Sequence, residues 1–231
     1  MKCDMTKGSI RKNILFFSLP VFAGSMLQQL YNMADSILVG QFLGVNALAA
    51  VGATGSIFFL VIGCSDGFSR GLSICISKYV GMGSPDKIKR SIALSLVLSM
   101  MAGVCLTLIG LFCAKPLLRL LDVPEEIIGD ALTYIQVIYG GICITVMYNL
   151  FSNIARALGD SVTPLLSLAF SAVMNILLDY LFLKVWKCGV AGVAVATLLA
   201  QMISAVLCLI VCLCKYEEVR LRKRDFRYGG K

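Results

Sequence analysis

Histidine is absent from this chain of 231 residues, and charged residues make up only 15% of it. Without His, the common zinc, haem and Ser-His-Asp arrangements lose their usual member. Soluble proteins average about 25% charged residues, so a water-soluble globule of this size would lack the polar surface it needs. Hydrophobic residues account for 58%, and the mean hydropathy is +0.87. That excludes a disordered chain as well. Lys and Arg number 21 against 13 Asp and Glu, a net charge of +8. In so apolar a chain the basic excess points to segments lying beside a bilayer and not to nucleic acid.

A membrane-crossing helix needs about 20 mostly apolar residues. Six stretches qualify: Ile14–Leu43, Ala47–Ser69, Ser91–Cys113, Ile128–Ile154, Val162–Trp186 and Val190–Cys214. Gly81-Met-Gly-Ser-Pro85, Lys115-Pro116, Pro124-Glu-Glu126 and Gly159-Asp160 punctuate them. The first stretch is too long for the apolar core of a signal peptide. The fold class expected is an all-α membrane protein, a six-helix bundle over residues 14–214. A tail at 1–13 precedes it and a basic tail at 215–231 follows. Of the 21 basic residues, all but Lys115, Arg119, Lys184 and Lys187 fall on one side of this arrangement. The positive-inside rule makes that side cytoplasmic, with both termini there. The ten cysteines lie mostly in apolar runs, where Cys packs as a small hydrophobe.

Placing an Asp at the centre of a membrane helix costs about 2.5–3.5 kcal/mol. Intramembrane carboxylates therefore mark function, and Asp35, Asp66 and Asp179 are the three concerned. Asp66 has Arg70 four residues on, a spacing that predicts an ion pair. Asp35 and Asp179 have no such neighbour. Counting from the outer ends of their spans, Asp35 lies about 12 Å deep and Asp179 about 10 Å deep. Gln28, Tyr31 and Asp35 share one helical face, as do Asn175 and Asp179. Thr197 returns to a similar depth on the sixth span, and Tyr134 and Asn149 on the fourth face the same space. The pattern predicts an internal polar cavity. Interhelical hydrogen bonding is the alternative for Asn175, Thr197 and Asn149, and an interfacial anchor for Tyr31. Pro20 breaks a backbone bond inside the first span, as a passive kink or a hinge.

Several linked stretches bear a resemblance. They are Gln28-Gln-Leu-Tyr-Asn-Met-Ala-Asp35-Ser-Ile-Leu-Val-Gly40, Ile76-Ser-Lys-Tyr-Val-Gly81, Arg156-Ala-Leu-Gly-Asp160 with Pro164, and Asn175-Ile-Leu-Leu-Asp179-Tyr-Leu-Phe182 followed by Gly189-Val-Ala-Gly192 and Ala196-Thr197. In order, over nearly the whole chain, they resemble the N-terminal lobe of the multidrug and toxic compound extrusion (MATE) family, in its DinF/MepA-like branch. The resemblance implies a cell-membrane antiporter, not an enzyme. It implies no cofactor beyond a coupling ion, H⁺ or Na⁺, and a cation-coupling site at Asp35, Asp179, Asn175 and Thr197, where Na⁺ would also be held. Gln28, Tyr31, Tyr134 and Asn149 would form the supporting network, and Pro20 the hinge. The partners implied are the bilayer, amphipathic or cationic small molecules, and a missing second lobe or a second copy of the chain, with no nucleic acid. The family has twelve spans in two lobes, so the resemblance covers one lobe only, ending where a linker would lead to a seventh span. A lipid-linked precursor flippase of the same superfamily, or a purely structural fragment, is the competing expectation.

Overall fold

The computed structural model describes residues 9–222 and residue 225. Lys2, Cys3, Lys7, Lys223, Arg224, Arg227 and Lys231, which carry part of the charge bias and one of the ten cysteines, lie outside the described residues. The chain forms α1 (Ile10–Leu43), α2 (Val45–Gly81), α3 (Pro85–Leu120), α4 (Glu125–Gly140), α5 (Ile142–Ala157), α6 (Val162–Tyr180) and α7 (Gly189–Lys215). A π-helical turn, Leu181–Val185, continues α6, and a 3₁₀ turn, Glu217–Val219, follows α7. Five of these helices are long and apolar enough to cross a membrane. The pair α4 and α5, bent by 50° at Gly140-Gly141, is long and apolar enough when taken together, which makes up to six spans. A Gly pair is a recognised cause of sharp kinks. The chain is a multi-pass, all-helical membrane bundle.

Several boundaries differ from the sequence expectation, three of them with a clear physical cause. The fourth span is two helices and not one. Helix α2 runs twelve residues past Ser69, carrying Arg70 and Lys78 on a helix that the charge pattern marked as a joint. Hydropathy reports the bilayer, not the helix. At 37 residues and 1.5 Å each, α2 is about 55 Å long against a hydrocarbon core of about 30 Å. The stop comes only at Gly83, whose φ of 62° suits a residue without a Cβ, with Pro85 opening α3. Pro116, expected to punctuate, lies inside α3. It sits one turn from the C-terminus, where its φ suits a helix and only one backbone bond is lost. Between α1 and α2 the turn is Gly44 alone, at φ 88°.

Helix α7 packs on α4, α5 and α6, and α1 packs on α6 and α2. Both α4 and α5 lie between α2 and α7, with α3 behind them. Phe59 and Phe112, each 80% exposed, typify the surface that faces lipid. Small residues bring the helices close. A Cβ on Gly110 would overlap the ring of Tyr139, which is itself buried. Gly110→Ala should therefore destabilise the bundle by about 1–3 kcal/mol, the usual cost of overpacking. A thermal melt of the detergent-solubilised protein measures it, and an unchanged melting temperature would mean that α3 moves aside freely.

Candidate functional site

Only one face of α1 is buried. Gly24, Tyr31, Asp35 and Val39 follow one another along it, at spacings that return to the same side of a helix. On α6 every fourth residue is polar and buried: Thr163, Ser167, Ser171, Asn175 and Asp179. Packing α1 on α6 brings the Asp35 and Asp179 carboxyls close enough to repel one another. Asp179 and Asn175 are fully buried and Asp35 is 9% exposed.

The donors around these groups are engaged elsewhere or missing. Both carboxylate oxygens of Asp179, Oδ1 of Asp35, and both Oδ1 and Nδ2 of Asn175 are buried with no hydrogen-bond partner. Leaving a buried polar atom unmatched costs about 1–3 kcal/mol, and more for a charged one. Tyr31 lies beside Thr197 and close to both carboxylates. Thr197 in turn donates to the carbonyl of Val193 at 3.0 Å. The buried Tyr134, from α4, faces Asp35, Asp179 and Tyr31. Directly beyond Asp179 the helix widens into its π turn, an irregularity often found at functional positions.

Beside this cluster is a small recess, lined by Gln28, Tyr31, Tyr148, Ser171, Gln201 and Ser204 among others. Gln201 accepts a hydrogen bond from Thr145, and Ser171 donates to the carbonyl of Ala200.

Asp35, Asp179, Asn175, Thr197, Tyr31 and Tyr134 thus come together, with Gln28 in the adjoining recess. Asn149 is apart from them: its amide donates to Ser65 of α2 at 3.3 Å. Pro20 is half-buried in an α1 that remains one helix from Ile10 to Leu43. Asp66 and Arg70 form the expected ion pair at 2.7 Å. Tyr148, Ser171 and Gln201 were missed in the sequence. Gln201 stands out in the apolar run of α7 as plainly as Asn175 does in α6.

Similarity to known proteins bears on what this arrangement serves. The model of the MatE family matches residues 20–181. The chain belongs to the MatE family. Among curated relatives, this MatE chain is 36% identical over 205 residues to the probable multidrug resistance protein YpnP of Bacillus subtilis, a match covering 87% of this chain and 45% of that one. It is 30% identical to the probable multidrug resistance protein NorM of Thermotoga maritima, over 93% of this chain and 47% of that one. The chain therefore spans about half the length of these relatives. Among solved structures, the outward-facing conformation of a multidrug resistance MATE family transporter of the MOP superfamily superposes with a TM-score of 0.88 at 30% identity, over 98% of this chain and 50% of that one. The inward-facing conformation gives 0.80 over 91% of this chain and 49% of that one. MatE proteins are transporters, not enzymes, and this chain carries the fold of half of one.

Proposed function

We propose that the chain forms a six-helix lobe of a cation-coupled exporter of amphipathic or cationic compounds, with both termini cytoplasmic. Asp35, Asp179, Asn175 and Thr197 hold the coupling ion. The observation that carries this reading is the group of buried, unpartnered oxygens on Asp35, Asn175 and Asp179. Such atoms fit a hard cation that prefers oxygen ligands, or a proton shared between two carboxylates too close to be charged together. Tyr31 of α1, beside Thr197 and both acids, is suited to couple the ion's arrival to movement of that helix. The buried charges at this site are acidic, which favours cation coupling over recognition of a pyrophosphate lipid.

The experiment is ion binding by the purified protein in detergent. Na⁺ should raise the melting temperature saturably at constant ionic strength, or, if the ion is H⁺, unbuffered protein should release about one proton per chain when drug is added. Asp179→Asn should remove whichever response is found. A wild-type protein with neither response would end the reading.

A further inference from the structure

A second buried polar cluster lies away from the acid pair and shares no residue with it. Arg156 ends α5, and its Nη1 donates to Oδ1 of Asn153 at 3.2 Å. That acceptor is neutral. The Arg156 Nε is buried and has no acceptor at all. The charged groups facing it from α2 are Arg70 and Asp66, while α5 and α7 offer only the Tyr148 hydroxyl and the Cys208 thiol. Asp66 is already bonded to Arg70. Asp160, the next carboxylate along, is bonded to Lys215 and Tyr216. Two guanidiniums share one carboxylate, so the cluster carries one positive charge without a counter-charge. Arg156 is only partly exposed, and the desolvated part of its guanidinium, at Nε, favours an acceptor there.

The neighbouring orphans are of one kind. Asn149 and Ser65 pair across α5 and α2 at an offset of 84 residues. The same offset, one turn further along both helices, brings Asn153 level with Ser69. Ser69 Oγ and Asn153 Nδ2 are both buried without a partner, and both residues are less than 5% exposed. Each has a hydrogen to give. Arg70, with 65% of its side chain exposed, forms an open rim.

We infer that this cluster between α2, α5 and α7 binds one oxyanion, a phosphate or phosphate ester. Arg156 Nε, Asn153 Nδ2 and Ser69 Oγ donate to it, and Arg70 sits at the entrance. Charge-assisted bonds of this kind are among the stronger ones available. Free phosphate and a phospholipid headgroup present the same oxygens, so the test has an arm for each.

The chain is purified in an uncharged maltoside detergent and its melting temperature is followed against inorganic phosphate, with chloride holding ionic strength constant. In the second arm, phosphatidic acid is added to the micelles against phosphatidylcholine as control. A saturable rise in either arm is expected, and the arm that responds identifies the source. Arg156→Gln should weaken the response about tenfold or more. Asn153→Leu keeps the positive charge and should still weaken it several-fold, so it decides the matter if the Arg156 variant does not fold. No response in either arm, or an equal response from Asn153→Leu and wild type, overturns the site.

Discussion

Asp35→Asn and Asp179→Asn should each reduce gradient-driven drug efflux to background while leaving membrane insertion intact. Asparagine keeps the size and some of the polarity of aspartate but cannot exchange a charge. An inward-moving cation gains about 2.3 kcal/mol per charge for each 100 mV of membrane potential. That work is delivered only if the site alternates between holding the cation and releasing it. Two buried carboxylates close enough to feel each other's charge act as one unit, so losing either member stops the cycle. Each single variant should therefore be as inactive as the double. Asp66→Asn is the control: its ion pair with Arg70 is partly exposed, and pairs of that kind are worth about 1 kcal/mol or less. Because the matched relatives are about twice this length, the assay uses the lobe joined to a second lobe, in vesicles under an imposed gradient. Wild-type efflux from both acid variants would leave these carboxylates with a structural role only.

Asp160→Asn should cause the largest loss of stability of any single polar change. The Asp160 carboxylate is fully buried. Oδ1 accepts from the backbone N–H groups of Val162 and Thr163, and Oδ2 accepts from the Thr163 hydroxyl, Lys215 and the Tyr216 hydroxyl. Burial alone would push its pKa up. The hydrogen bonds from Lys215 and Thr163 outweigh that and hold it at about 2. Removing one partner of a buried ion pair costs about 3–5 kcal/mol. The lower end is expected here, because Lys215 keeps 35% of its side chain exposed. The pH dependence follows from the sign of the shift. A carboxyl whose folded pKa lies below its unfolded value of about 3.9 stabilises the fold fully above that value. It loses the contribution as pH falls from about 4 towards 2. The wild-type melting temperature should drop across that window, and the Asp160→Asn protein should melt lower at pH 7 with a flatter acid limb. Equal melting temperatures at pH 7 would refute the anchoring role.

Much of this was legible because membrane helices announce themselves twice, by apolar length and by the cost of each polar residue inside them. Asp35, Asn175 and Asp179 stand out on those grounds. What remained hidden depends on what the neighbouring helix supplies. The sequence put Tyr134 and Asn149 on one span facing one space, and only the packing of α4 and α5 sends Asn149 to Ser65 and leaves Tyr134 near the acids. The Gly140-Gly141 break is invisible to hydropathy, since both sides of it are apolar. The π turn after Asp179 has no signal in Leu181–Val185. The ladder Thr163, Ser167, Ser171 was readable by its spacing of four, but Ser and Thr cost so little in a membrane helix that they attract no notice.

The position of Asp160 also sets an order of assembly. Its bonds to Val162 and Thr163 span two or three residues and close as soon as α6 begins to form. Its bonds to Lys215 and Tyr216 span 55 and 56 residues. At a synthesis rate of about 5–20 residues per second, the carboxylate waits on the order of several seconds for its cation to emerge. Until α7 is inserted with its end on the same side as the α5–α6 turn, Asp160 has only its local partners, Val162 and Thr163. A bundle whose last span goes in the wrong way, or not at all, leaves Asp160 without the cation that pairs with it in the finished lobe.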